Sequence, residues 1–509
     1  MWECVLYLLP SSLLLFVAFL IQWTPVRLGL RVPSRWFGWR LWALLCWFLG
    51  LPLASQAAAE GPPQLVCKPT ALARFLFQRC NLLAKPGPAG LPWGYPHFET
   101  VCSLAGPQCG SGGVRFARDH LQMQDGGVVA LDWAVGLERE LGPSLRKDSM
   151  GGENVLGCHS SCPPVLILVP NSWGRVTPHL LRLCVLALCQ GFYPVVFHRR
   201  GQGGCPLVTP RFQEFGDPSD LVQAIDYIRF RHPKSVLVAV SEGSGSGVLL
   251  SYLGECGSSS YLTAAACLSP VLQGQLWFEM PFPALYRWGL LLYRKLQLSR
   301  YATALSSALN IEQLLCCSSL WDMEMLTFCS TRASSCTEAD WEAYWERNEP
   351  LRDADEVAVP VLCLRSRDDP LLPPISTLPT ALFRSSPYFL LLLSNSSGHC
   401  GASEWSHPLV LEYFRAVAHF LRAEEMAAGM QAAAARMGPR VGPAGTGPGT
   451  CRRTQTLVTR RRRAAQLRRD GSPSWLSTHI AHGGIGKVAD QVGFGGESKA
   501  FTWHRCYTR

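Results

Sequence analysis

Six short apolar runs constrain the fold of this chain more than any other feature. They are VLILVP (165–170), YPVVFH (193–198), SVLVAVS (235–241), AAACLSPV (264–271), VPVLCLRS (359–366) and YFLLLLS (388–394). None alternates cleanly between apolar and polar residues, so both faces of each strand need cover. Sequence of helical character falls between them, around 178–189, 218–230, 245–254 and 407–423. Continuous apolar strands alternating with helices predict an α/β fold with a mostly parallel sheet and helices on both faces. Upstream, HLQMQDGGVVALDWAV places alternating apolar residues on either side of DGG, which predicts an antiparallel hairpin. The stretch 273–350 interrupts the rhythm with LWFEMPFPALYRWGLLLY and predicts a helical cap inserted over one end of the sheet. Such caps often line apolar pockets, although a packed helical layer with no ligand fits equally well.

The remaining segments frame this domain, expected over 116–425. Residues 5–23, VLYLLPSSLLLFVAFLIQW, carry no charge over a length that spans a bilayer as a helix. Arg27, Arg31, Arg35 and Arg40 follow, then LWALLCWFLGLPLASQAAA, which has the layout of a secretory signal. Residues 1–59 are therefore expected to be a membrane anchor or signal region. The arginines favour the cytosolic side. The expected location is a membrane of the endoplasmic reticulum or secretory pathway, with secretion after signal cleavage as the alternative. Residues 60–115, rich in Pro, Gly and Cys, read as a connector.

The net charge of +10 is concentrated at the other end: from Gln431 onward 14 Lys and Arg face three Asp and Glu. The body is thus close to neutral and gives no sign of binding nucleic acid. Residues 426–509 are expected to be a basic, disordered tail. The 21 cysteines include no C-x-x-C pair, and CHSSC at 158–162 has no partner pair at zinc-site spacing. Neither metal nor cofactor is expected.

Chemistry is concentrated at the carboxyl ends of the strands. RDDPLLP follows the strand at 359–366 and supplies Asp368 and Asp369; NSSGHCG follows the next strand and supplies His399. A carboxylate after one strand and a histidine after the next suits an orienting acid and a general base. In chain order, the nucleophile of an alpha/beta-hydrolase would precede both. SEGSGSG, at the end of SVLVAVSEGSGSGVLL, lies where it should stand.

The motifs DDP, GHCG, FHRRGQGG, FGDPSDL and DGGVVALDW resemble family 4 of the alpha/beta-hydrolase superfamily, over roughly residues 65–425. The resemblance implies a membrane-anchored ester or lipid hydrolase acting on acylglycerols or phospholipids. It also implies Asp369 as the charge-relay acid and His399 as the base.

The nucleophile elbow, G-x-S-x-G, needs small residues two positions either side of its apex. With Ser244 at the apex the flanks are Glu242 and Ser246, and the glutamate is badly placed. Ser246 would be flanked by Val248, which is too bulky. Ser241 has tolerable flanks but falls at the end of the strand. Gly243 lies between Ser241 and Gly245, and it occupies the register of the family's serine. The oxyanion region departs as well, with Asn171 and Ser172 of PNSW where family members usually carry glycine.

Two readings follow. In the first the protein is a catalytically impaired regulator of lipid metabolism, binding a lipid or ester ligand, the membrane, or a regulatory protein. In the second it is an active ester or lipid hydrolase using Ser244, or less favourably Ser241, with His399 and Asp369.

Overall fold

A computed structural model describes residues 63–84, 100, 114–137, 163–172, 176–329, 337–394, 403–437 and 503–507. The two apolar N-terminal stretches and most of both the connector and the basic tail lie outside the described residues. No helix among the described residues is long and apolar enough to cross a membrane.

The described strands are β1 (Gln64–Val66), β2 (Val114–Gln122), β3 (Val128–Leu137), β4 (Val165–Val169), β5 (Tyr193–His198), β6 (Leu237–Glu242), β7 (Leu262–Leu268), β8 (Val361–Ser366), β9 (Phe389–Ser394) and β10 (Trp503–Tyr507). They form one sheet in the order β1-β9-β8-β7-β6-β4-β5-β3-β2-β10. From β5 to β9 the pairing is parallel throughout, as the apolar runs predict. The hairpin β2–β3 joins antiparallel to β5. Its turn is at DGG, where Asp125 Oδ1 accepts the Gly127 N–H at 3.0 Å. This is an alpha/beta-hydrolase fold.

Period-two alternation inside the apolar strands divides the core between two faces. Val165, Ile167 and Val169 of β4 face one cluster; Leu166 and Leu168 face the other. Helices α1 (Ala71–Arg79), α2 (Pro178–Cys189), α3 (Ser219–Arg231) and α4 (Ser246–Cys256) follow in chain order. The first cluster is covered by α3 and α4 through Leu221, Ile225, Leu249 and Leu253. The second is covered by α1, α2 and the long C-terminal helix through Leu76, Leu183, Leu409 and Val417. Thr70 and Thr177 cap α1 and α2 by accepting backbone N–H groups, which removes one unpaired donor from each helix start.

The cap contains α5 (Gly274–Glu279), α6 (Ala284–Arg300), α7 (Leu320–Phe328) and α8 (Glu338–Asn348). Its centre is aromatic: Trp341, Tyr344 and Trp345 of α8 are buried and pack on one another, and Trp345 meets Phe215 and Phe278. Several polar contacts fix the cap to the body, two of them at its ends. The Trp277 indole donates to Leu371 O at 2.8 Å, and Asn348 Oδ1 accepts the Gly216 N–H at 3.1 Å.

The last long helix, α9 (Ser403–Met437), runs past the expected boundary at 425. Residues 503–507, inside the segment expected to be disordered, form β10 and pair antiparallel with β2. The free edge of β2 offers unpaired backbone groups, so added strand there satisfies them.

Candidate functional site

Because the central strands are parallel, the loops after β4, β6, β8 and β9 all emerge at one edge of the sheet. After these strands the chain continues with Asn171 and Ser172, with GSGSG (243–247), with Asp369 and, outside the described residues, with His399. Parallel sheets place their sites at such an edge.

The turn between β6 and α4 is a sharp elbow. Gly243 stands at its apex with φ +51°, and Gly243–Gly245 form a single tight turn leading into the helix. A left-handed apex between strand and helix is the strained conformation that holds a nucleophile out over the sheet. Glycine enters it readily, and here the apex carries no side chain.

The residues on either side explain why the sequence bends there. A Cβ added to Gly245 would lie 2.4 Å from Pro170 O and 2.7 Å from Val169 O, so only glycine lets α4 begin this close to β4. Ser246 Oγ accepts the Val271 N–H at 2.9 Å and donates to Gly243 O at 2.8 Å, tying the turn to the loop after β7. Ser241 is wholly buried inside β6, with no hydrogen-bond partner for its hydroxyl among the described residues. It is a strand residue and is not presented at the turn. Glu242 is also buried: the Thr177 hydroxyl donates to its Oε1 at 2.7 Å, and His179 Nδ1 lies 3.8 Å from it. Its carboxylate is therefore committed to the start of α2.

Ser244 is buried and held by the loop after β4. Its Oγ accepts the Ser172 N–H at 2.9 Å and lies 2.5 Å from the Ser172 hydroxyl. In hydrolases of this fold the loop after the equivalent of β4 gives one backbone donor to the oxyanion, and the residue after the nucleophile gives the other. The Ser172 N–H occupies that position in the chain, and it is already used by Ser244. Gln202 reinforces the arrangement, with its Nε2 donating to Ser172 O at 2.7 Å. Asn171 is buried beside it.

Asp369 is buried in the loop after β8, where its Oδ1 accepts the Leu371 N–H at 2.9 Å. Burial pulls the neighbouring Arg365 guanidinium below its ordinary value, while the negative charge of Asp369 opposes that shift. Asp368 is more exposed and bonds with the Ser366 hydroxyl. His399 follows β9 and lies outside the described residues, so only its place in the chain bears on its role. The structure thus brings together Ser172, Ser244, Gly243 and Gly245, with Asp369 at the same sheet edge.

Several roles were not assigned from sequence. Thr177, His179, Glu242 and His407 form a buried polar group beneath the elbow; burial, then the neighbouring His179, holds His407 well below its ordinary value. The HRR motif after β5 divides its work. Arg200 bonds Asp220 and Asp125, whereas the Arg199 guanidinium lines a small cavity beside Ser172. A second cavity, about 740 Å³ and lined by Phe278, Phe282, Trp321, Met325 and Trp341 among others, lies within the cap. Its size suits a small ligand, for which pockets measure roughly 300–1,000 Å³.

No protein-family model matches the chain. Protein ABHD15 of Homo sapiens is 50% identical over 379 residues, which span 73% of this chain and 77% of that protein. Phospholipase ABHD3 of Mus musculus is 24% identical over 360 residues, spanning 69% of this chain and 81% of its own length. Among solved structures, the Pyrococcus furiosus esterase Pf2001 aligns with a TM-score of 0.33 and 12% identity, over 66% of this chain and 98% of that one.

Proposed function

The chain belongs to the alpha/beta-hydrolase domain-containing family, and from that premise we propose that it is a catalytically impaired member acting in lipid metabolism as a membrane-associated regulator. It binds a lipid or ester ligand, or a regulatory protein, where active relatives cleave a bond. The observation that carries this reading is Gly243 at the apex of the elbow, with φ +51° and no nucleophilic side chain. The occupied Ser172 N–H supports it, because an oxyanion loses a donor there. The phospholipase name of one relative supports a lipid as the ligand class. The aromatic cap cavity offers such a ligand an apolar wall. Membrane attachment rests on the two apolar N-terminal stretches.

The alternative, attack by Ser244, requires its hydroxyl to leave two contacts with Ser172 and move from the residue after the apex to the apex itself. Ester hydrolysis decides between the two. The full-length chain in detergent is assayed on p-nitrophenyl butyrate and on dihexanoyl phosphatidylcholine beside an active relative. Turnover at ordinary hydrolase rates, abolished by Ser244→Ala, would establish the alternative. Background rates that are unchanged by Ser244→Ala are expected. Carbonate extraction of cell membranes tests the attachment, and release of the full-length chain into the supernatant would refute it.

A further inference from the structure

FHRRGQGG supplies a buried charge that the elbow does not use. Arg199 is about 5% exposed, and its Nε and Nη2 atoms are buried with no hydrogen-bond partner among the described residues. Those two atoms form one edge of the guanidinium, the fork that grips two oxygens of a phosphate or carboxylate. Burying such a fork without an acceptor is unfavourable. Its neighbour Arg200 does not share the problem, because Asp220 and Asp125 satisfy it.

Arg199 lines a cavity with Ser172, Gln202, Gln213, Arg294 and Glu324. The cavity measures about 10 Å³, room for roughly one water. Arg294 comes from the cap and is bonded through Nη2 to Glu324 Oε2 at 3.0 Å. The other oxygen of Glu324 accepts the Tyr344 hydroxyl at 2.9 Å. Two guanidinium groups from separate elements thus converge beside Ser172, with one carboxylate between them.

We propose that this cavity is an anion site, in which Arg199 and Arg294 together bind a phosphate monoester group beside the elbow. A dianionic tetrahedral group suits two arginines approaching from different sides better than a planar carboxylate, which one fork would saturate. The cavity as it stands is too small for phosphate. The group enters by taking the place of Glu324 at Arg294, which widens the space between α6, α7 and the loop after β5. Burial raises the affinity of Glu324 for a proton where it now sits, and Arg294 and the Tyr344 hydroxyl oppose that shift. Burial, then Arg294, lowers the Arg199 guanidinium to about 10, which still leaves it charged at neutral pH.

The proposal rests on the ligand-binding part of the reading above and is independent of the inert elbow. The phosphate could belong to a lipid headgroup or be free in solution, and one titration separates the two. The full-length chain in neutral detergent is titrated calorimetrically with dihexanoyl phosphatidic acid, dihexanoylglycerol and inorganic phosphate. At least tenfold tighter binding of phosphatidic acid than of dihexanoylglycerol is expected, with the preference lost in Arg199→Met. If inorganic phosphate binds as tightly as phosphatidic acid, the site takes the free anion. If it only competes weakly, the site takes the headgroup. Should Arg199→Met fail to fold, Arg294→Gln decides, since it is partly exposed and also loses the preference. Equal affinity for the charged and neutral lipids, or a preference that survives in the folded variant, would overturn the site and leave the cavity to water. Fatty-acid release in the same samples bears on the elbow alone.

Discussion

Replacing Gly243 by serine returns a hydroxyl to the apex of the elbow, and the structure indicates how much activity that should restore. The backbone already has φ +51°, so the side chain enters a conformation that costs a non-glycine residue about 1–3 kcal/mol. A complete Ser-His-Asp triad is worth about 10⁶ in kcat in the best-measured hydrolase. Here the Ser172 N–H is engaged by Ser244 Oγ at 2.9 Å, and losing one oxyanion donor lowers kcat by about 10²–10³. Gly243→Ser alone should therefore recover about 10³–10⁴ over the wild-type background on p-nitrophenyl butyrate. Adding Ser244→Ala frees the donor and should give a further 10²-fold or more, about 2.7–4 kcal/mol of transition-state stabilisation. Initial rates are compared for wild type, each single variant and the double variant, with circular dichroism confirming the fold. A double variant no faster than Gly243→Ser would show that Ser244 does not block the oxyanion site. A Gly243→Ser variant no faster than wild type would show that Asp369 and His399 do not form working partners for this apex.

Three further expectations concern the scaffold. Gly245→Ala forces a Cβ to within 2.4 Å of Pro170 O, a backbone atom with little freedom to yield, so unfolding titrations should show a loss near the top of the range of about 1–3 kcal/mol for overpacking. Trp345, 2% exposed in the aromatic centre of the cap, should lose about 3–5 kcal/mol on mutation to alanine; a loss below 1 kcal/mol in urea melts would mean that the cap is not packed as described. Burial alone would raise Asp132, but hydrogen bonds from Arg118 and His198 hold it down to about 2. Because this folded value lies below the unfolded one of about 3.9, the group contributes about 2–3 kcal/mol above pH 4, lost as pH falls from 4 towards 2. Asp132→Asn should therefore be less stable at pH 7 and show a shallower acid unfolding curve; an unchanged curve would contradict the assignment.

The parallel sheet was legible because continuous apolar runs can be buried only between two layers of helix. The predicted strand at 193–198 coincides with β5, and the others end within a few residues of the observed limits. The elbow was legible too, since Gly243 and Gly245 stand where the chain must bend sharply and pack closely. The partner of the Ser172 N–H was not. Ser172 and Ser244 lie 72 residues apart, and nothing in PNSW or SEGSGSG announces a hydrogen bond between them. The divided roles of Arg199 and Arg200 were hidden for the same reason, because adjacent identical residues differ only in the partners that distant elements bring to them. The strand at 503–507 is read poorly from composition, since edge pairing depends on an open neighbour more than on its own sequence.

The central claim, that no side chain at this elbow is a nucleophile, is tested most directly by a fluorophosphonate probe. The folded full-length chain is labelled beside an active relative, digested, and searched by mass spectrometry for the adduct. The structure predicts no adduct on the peptide spanning 236–253 in the wild type and an adduct at position 243 in Gly243→Ser. An adduct on Ser244 or Ser241 in the wild type, absent from His399→Ala, would contradict the account and make the protein a working esterase.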